Sequence, residues 1–148
     1  MRDIPDVCVL DASALMRAFI DMDLSDAARH VLISLVELDK QVVVPDLLYV
    51  ECANVAWKYV RLRNLESKGA EQYVREIVEL DFQTVPSDET ATPALKLALA
   101  TGTSVYDASY AVVAHQFDGT LVTADARLVR KLSATNTTIA HLSEFVPA

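Results

Sequence analysis

VCVLDASALM, residues 7–16, decides how the rest of the chain is read. Val7 to Leu10 is a short unbroken apolar run, which predicts a strand buried on both faces. The run ends in Asp11, and a helix is expected to follow at once. From Leu24 to Leu38, apolar residues at Leu24, Ala27, Ala28, Val31, Leu32, Leu35 and Val36 recur in three- and four-residue steps and predict an amphipathic helix. Val42 to Val44 predicts a second buried strand. Pro45 and Asp46 are expected to open the next helix, from about Leu47 to Arg61, because a first-turn residue does not need its N–H.

The alternation continues. Ala70, Tyr73, Val74, Ile77 and Val78 predict a helix from Ser67 to Leu80, and Phe82 to Val85 a strand stopped by Pro86. Helices are expected from Thr90 to Ala100, from Tyr106 to His115 after an opening Ser104, and from Ala126 to Leu132. Gly119 turns the chain into a strand from Leu121 to Thr123, and a last short strand is expected at Ile139. Short apolar strands alternating with helices imply right-handed crossovers, hence a mostly parallel α/β sheet with helices on both faces. Such a sheet binds ligands beyond the carboxyl ends of its strands.

Composition narrows the function classes. The chain has 148 residues, 52% hydrophobic and 23% charged, with 3 Gly and 5 Pro, which suits one domain over residues 1–148 and excludes disordered and collagen-like classes. No window reaches the ~18 apolar residues of a membrane span. The opening MRDIPD lacks an apolar leader segment, so a cytoplasmic protein is expected. Cys8 and Cys52 lie in apolar runs without metal-ligand spacing and read as reduced core residues. A formal charge of −8 argues against grip on nucleic acid by bulk positive potential, so a phosphate-bearing substrate needs a local cationic patch or metal ions.

Four acids stand at chemically suggestive places. Asp11 and Asp125 lie at the ends of predicted strands, and a parallel topology brings both to one sheet edge. Asp107 falls in the first turn of a helix whose start is on that edge. Glu51 has Leu47, Leu48 and Val55 as helical neighbours, so its carboxylate leaves an apolar face and requires a partner: a basic side chain, a proton or a metal ion. Each of the three aspartates also reads as a helix cap, with Ser104-x-x-Asp107 resembling a capping box. The two roles are compatible, since a carboxylate has two oxygens. Four acids gathered without cations repel one another, whereas a hard divalent ion keeps them ionised, and an all-oxygen ligand set points to Mg²⁺ or Mn²⁺.

The segments VLDASAL around Asp11, PDLLYVECANV around Glu51, SVYDASYAVVA around Asp107 and LVTADARLVRKL around Asp125 together resemble the PIN-domain ribonucleases, in particular the VapC-like toxins of toxin–antitoxin pairs. The similarity spans nearly the whole chain. It implies a three-layer α/β/α sandwich in which Asp11, Glu51, Asp107 and Asp125 match acidic metal-binding positions, with Ser13, Asn54 and Thr123 as supporting residues. It further implies RNA cleavage with Mg²⁺ or Mn²⁺, a homodimer, and a cognate antitoxin whose peptide lies across the active site.

The expected chemistry is in-line attack of an activated water on a phosphodiester, with an ion held mainly by Asp11 and Asp107. Cationic clusters available for RNA are Lys58, Arg61 and Arg63, and Arg127, Arg130 and Lys131, with Arg17 beside the first acid the best single candidate for phosphate contact. Solvated helix surface is the competing reading for each. Tyr49, Trp57 and Tyr59 fit a core or subunit interface better than base stacking. No chemical role is assigned to His30, His115 or His141. A receiver domain would place adjacent acids after the first strand and a late lysine, but Ala12 and Ala124 stand there. An aspartyl phosphatase would need D-x-D where Ser13 stands. The remaining alternatives are a catalytically silent interaction module of the same fold and a housekeeping nuclease without an antitoxin.

Overall fold

The computed structural model describes all 148 residues. In chain order it comprises β1 (Val7–Leu10), α1 (Ala12–Met16), α2 (Ser25–Glu37), β2 (Gln41–Pro45), α3 (Leu48–Leu62), α4 (Ser67–Glu79), β3 (Gln83–Val85), α5 (Ser87–Thr101), α6 (Val105–Gln116), β4 (Thr120–Thr123), α7 (Ala126–Leu132) and β5 (Ile139–His141), closed by a 3₁₀ turn over Leu142–Phe145. The five strands form one sheet in the order β3-β2-β1-β4-β5, and every pairing is parallel.

That order explains the layers. From β1 the chain steps outward to β2 and β3, then returns past β1 to β4 and β5. Right-handed crossovers therefore put α1–α4 on one face and α5–α7 on the other. The helix contacts agree, with α3 touching α1 and α4, and α5 touching α6. The direction of winding reverses between β1 and β4, and it is there that an open parallel sheet leaves a crevice beyond its carboxyl ends.

Burial holds the three layers together. Val9, Val43, Val44, Leu121 and Val122 are shielded on both faces of the sheet, and Leu15, Leu48, Ile77, Tyr110, Val113 and Leu132 pack into the same continuous core. Each such side chain contributes about 1.5–3 kcal/mol on burial. Cys8 and Cys52 are free thiols in this core, as expected, and burial pushes both up to about 12.

Two boundaries differ from the sequence reading. Pro45 does not open a helix but ends β2, where it is paired in register with Val85, and α3 starts at Leu48. The apolar run QVVVP simply continues as strand to its last residue, a position at which little ladder bonding is lost by the missing N–H. The fifth helix begins at Ser87 rather than Thr90, because the Ser87 N–H is received by Asp46 Oδ2 at 3.2 Å and Asp88 and Glu89 favour the positive end of the first turn.

Gly119 is required by close approach. A Cβ there would stand 2.9 Å from Val7 Cγ1 and 3.1 Å from the Val7 carbonyl oxygen. Gly119→Ala is expected to lower stability by about 1–3 kcal/mol, read as an earlier urea midpoint at unchanged slope, since the neighbouring β1 backbone cannot give way cheaply. An unchanged midpoint would show that the β1–β4 contact is soft.

Candidate active site

The reversal point of the sheet gathers the four acids. Asp11 follows β1 and Asp125 follows β4, while Glu51 comes from the first turn of α3 and Asp107 from the first turn of α6, on opposite helical layers. All four line one cavity of about 530 Å³, together with Ser13, Asn54, Lys58, Tyr106 and Tyr110.

Capping fixes three of these acids in place. Asp11 Oδ1 accepts from Ala14 N at 2.9 Å, and Asp125 Oδ1 accepts from Arg127 N at 2.9 Å and Leu128 N at 3.3 Å. Ser104 Oγ accepts the Asp107 N–H at 3.0 Å, so here the cap is the serine and Asp107 keeps its carboxylate free of the backbone. Cap and site coincide at Asp11 and Asp125, each using one oxygen on the helix.

Two hydroxyls stitch the strand ends together. Ser13 donates to Asp11 Oδ1 at 2.6 Å and accepts from Ala124 N at 3.0 Å, with Thr123 Oγ1 at 3.3 Å. Thr123 Oγ1 in turn accepts from Asp125 N at 3.1 Å. Ser13 and Thr123, 110 residues apart in sequence, thus tie the first acid to the last. His141 extends the link, because its Nδ1 accepts from Ser143 N at 3.2 Å and its Nε2 lies 3.1 Å from the Ala124 carbonyl. An accepting Nδ1 leaves the proton on Nε2, which therefore donates to Ala124. The sequence offers no sign of this role for His141, whose partners come from the closing 3₁₀ turn and the end of β4.

Glu51 has a partner that sequence reading missed. Tyr110, 1% exposed, donates its hydroxyl to Glu51 Oε1 at 2.7 Å. Within the apolar helix AVVA, one tyrosine reads as core until the tertiary fold aims its hydroxyl at α3. Glu51 itself is half-buried rather than buried. Tyr110→Phe leaves that carboxylate with one donor fewer and is expected to cost about 1–3 kcal/mol at neutral pH, measured by urea unfolding, with the cost shrinking in acid as Glu51 takes up a proton. Equal loss at both pH values would mean the hydroxyl matters only for packing.

Electrostatics set these acids apart. Burial, above all, pushes the carboxyls of Asp11, Glu51 and Asp107 above the usual carboxylate range; Asp107 adds repulsion at Asp11 and Glu51, and Asp125 at Asp107. The Ser13, Thr123, Tyr110 and Ser104 donors pull in the other direction, as does the Lys131 ammonium near Asp107. None of the four acids is in an ion pair with lysine or arginine. Crowded oxygen donors outside any ion pair fit a hard divalent cation. No three of the groups already converge into a closed coordination cluster.

The basic residues separate clearly. Arg17 is drawn away from the cavity, with Nη1 donating to the Ser13 carbonyl at 2.6 Å and Nε to the Asp23 carbonyl at 3.0 Å, and it lines a different cavity with Tyr59 and Arg63. Lys58 lines the acidic cavity. Arg127 lines a smaller notch beside it, shared with Asp107 and Asp125. Trp57 stands 54% exposed on α3 with the Arg61 guanidinium 5.0 Å over its ring.

A three-layer α/β/α sandwich with acids at the strand ends and helix starts around its reversal point is the architecture of a PIN domain, and the PIN domain family model matches residues 8–132. The chain belongs to the PIN domain family. Among its relatives, Ribonuclease VapC3 of Pyrobaculum aerophilum is 32% identical over 129 residues, covering 85% of this chain and 95% of that protein. The crystal structure of PAE2754 from the same organism superposes with a TM-score of 0.67 at 26% identity, over 94% of this chain and 85% of that one. VapBC2 from Rickettsia felis, solved bound to a DNA fragment from its promoter, shares the fold with a TM-score of 0.65 at 13% identity, over 91% and 98% of the two chains. No helix is long and apolar enough to cross a membrane.

Proposed function

We propose that the chain hydrolyses RNA phosphodiester bonds with Mg²⁺ or Mn²⁺, as the toxin of a toxin–antitoxin pair, residues 1–148 acting as one unit. The observation that carries this reading is the convergence of Asp11, Glu51, Asp107 and Asp125 on one cavity with none of them in an ion pair. The family and the names of the relatives support it.

In this reading Asp11 and Asp107 are the principal ligands and Asp125 completes the set. A bound divalent ion supplies Lewis acidity, lowering the pKa of water and offsetting charge on the phosphate. Ser13 and Thr123 keep Asp11 and Asp125 in register so that neither must be reordered on binding. Glu51, with Oε1 held by Tyr110, orients the attacking water and takes its proton at Oε2, a task its raised basicity suits. The water oxygen bonds to phosphorus as the bond to the leaving ribose oxygen breaks, and that oxygen takes up a proton from solvent. Asn54 and Lys58 contact the phosphate from the α3 side.

The test is incubation of the purified, antitoxin-free chain with end-labelled RNA under Mg²⁺, Mn²⁺ or EDTA. Cleavage only with the ions is expected, and end-labelled products of discrete intermediate length identify an endonuclease. Equal cleavage in EDTA, or none with any divalent ion, overturns the reading. Expression alone should arrest growth, and a co-expressed antitoxin should relieve it; RNase activity without arrest would instead indicate a housekeeping enzyme. A homodimer pairing through the exposed Val50, Trp57 and Leu62 of α3 is part of the same proposal and is checked by sedimentation.

A further inference from the structure

Tyr106 is the aromatic residue of the acidic cavity that the proposed chemistry does not use. It lies in the first turn of α6, immediately before Asp107, and is 65% exposed. Three of the other tyrosines are engaged, the Tyr110 hydroxyl with Glu51, the Tyr59 hydroxyl with Met22 Sδ and the Tyr73 ring with Phe19, and Tyr49 packs half-buried against the core. Tyr106 has no ring partner and no hydrogen bond within the chain. A flat π surface left in water at the lip of a cavity is the feature on which a nucleobase stacks, whatever its identity.

A second feature lies on the far side of the acids. Thr103, Ser104, Arg127 and Lys131 enclose a notch of about 120 Å³ whose wall toward the acidic cavity is Asp107 and Asp125. That volume equals about four waters, enough for one phosphate group with part of its hydration. Lys131 Nζ donates to the Gly102 carbonyl at 3.0 Å, which orders the ammonium and leaves two of its donors free. Arg127 is exposed, and its guanidinium makes no ion pair or hydrogen bond. On the other side of Asp107 and Asp125, Lys58 lines the acidic cavity and is likewise without an ion pair. Cations thus stand on both sides of an acidic ridge in a chain of net charge −8, an arrangement that fits a chain of phosphates crossing the ridge better than one isolated phosphate.

We propose that the protein draws a single strand of RNA across this ridge, one base stacked on Tyr106 and the neighbouring phosphate seated in the notch by Arg127 and Lys131. The inference rests on the nuclease reading above for its substrate class and adds the residues that receive the base and the neighbouring phosphate. A base paired in a duplex presents only its edges, so the ring of Tyr106 selects unpaired RNA. The arginine and lysine act on the phosphate and are indifferent to sequence.

The test is fluorescence anisotropy of the full chain in EDTA with a 12-nucleotide RNA, the same RNA annealed into a duplex, and a strand of the same length carrying abasic sites. The single strand should bind at least tenfold more tightly than either competitor. Tyr106→Ala should weaken single-strand binding about tenfold and Tyr106→Trp should retain it. Arg127→Ala and Lys131→Ala should each weaken it several-fold and lower the slope of affinity against salt by about one phosphate. All these positions are exposed, and thermal melting confirms the fold of each variant. RNA cleavage by a chain whose Tyr106→Ala form binds all three probes like the parent overturns the path and leaves the nuclease reading intact. Tyr106-dependent single-strand binding by a chain that never cleaves RNA supports the path while the hydrolytic reading fails. Duplex binding equal to single-strand binding overturns the inference outright.

Discussion

Asp11→Asn is expected to lower RNA cleavage by about a thousandfold while the protein melts no lower than its parent. The two halves of that result have one cause. Asp11 is 5% exposed, and its carboxyl is held above the usual range first by burial and then by the nearby Asp107. Ionisation of this group therefore carries a desolvation cost in the folded state that an isosteric amide does not. Asparagine keeps an oxygen for the Ser13 hydroxyl and the Ala14 N–H, so the cap on α1 survives. It removes the anionic ligand that the proposed ion requires, and a thousandfold corresponds to about 4 kcal/mol of lost transition-state stabilisation. A variant that folds and cleaves at the parental rate would remove Asp11 from the chemistry. A steep loss of melting temperature would make its charge structural.

Divalent ions should raise the melting temperature by about 5–10 °C at pH 8, and by much less at pH 5. Asp11, Glu51 and Asp107 are all shifted upward in the folded chain. The folded state thus holds more protons than the unfolded one between the ordinary carboxylate pKa and the raised values. Stability of the ion-free protein accordingly falls as pH rises through that window. Binding of Mg²⁺ or Mn²⁺ offsets the repulsion once the acids are ionised, and ion at 100 times its dissociation constant adds about 2.7 kcal/mol, which for a chain of this size converts to the stated shift. In acid, protons compete with the ion for the same oxygens and the increment shrinks. Differential scanning fluorimetry in EDTA and in MgCl₂ at both pH values measures it. Identical melting with and without ion at pH 8 would remove the carboxylate cluster as a cation site.

Legibility in the sequence followed how local each signal was. Asp11 and Asp125 stand out because a strand's end is marked by its own neighbours. Asp107 is marked by Ser104 three residues earlier, and Glu51 by the apolar residues one turn away. Arg17 is the reverse case: sequence places it near Asp11, while the Ser13 and Asp23 carbonyls turn its guanidinium into another cavity. Pro45 misleads because a proline can close a strand as readily as open a helix, and only the pairing with Val85 decides between them.

Apolar periodicity and end signals, which depend on contacts within a few residues, were enough to specify the elements, the parallel sheet and the positions of the four acids. The Glu51–Tyr110 bond, the His141 link to Ala124, and the sharing of Asp107 and Asp125 between cavity and notch were decided only by the folded chain. Each joins side chains from separate elements, and the direction of a hydroxyl or ring nitrogen across such a gap depends on how the layers pack, which no local pattern encodes.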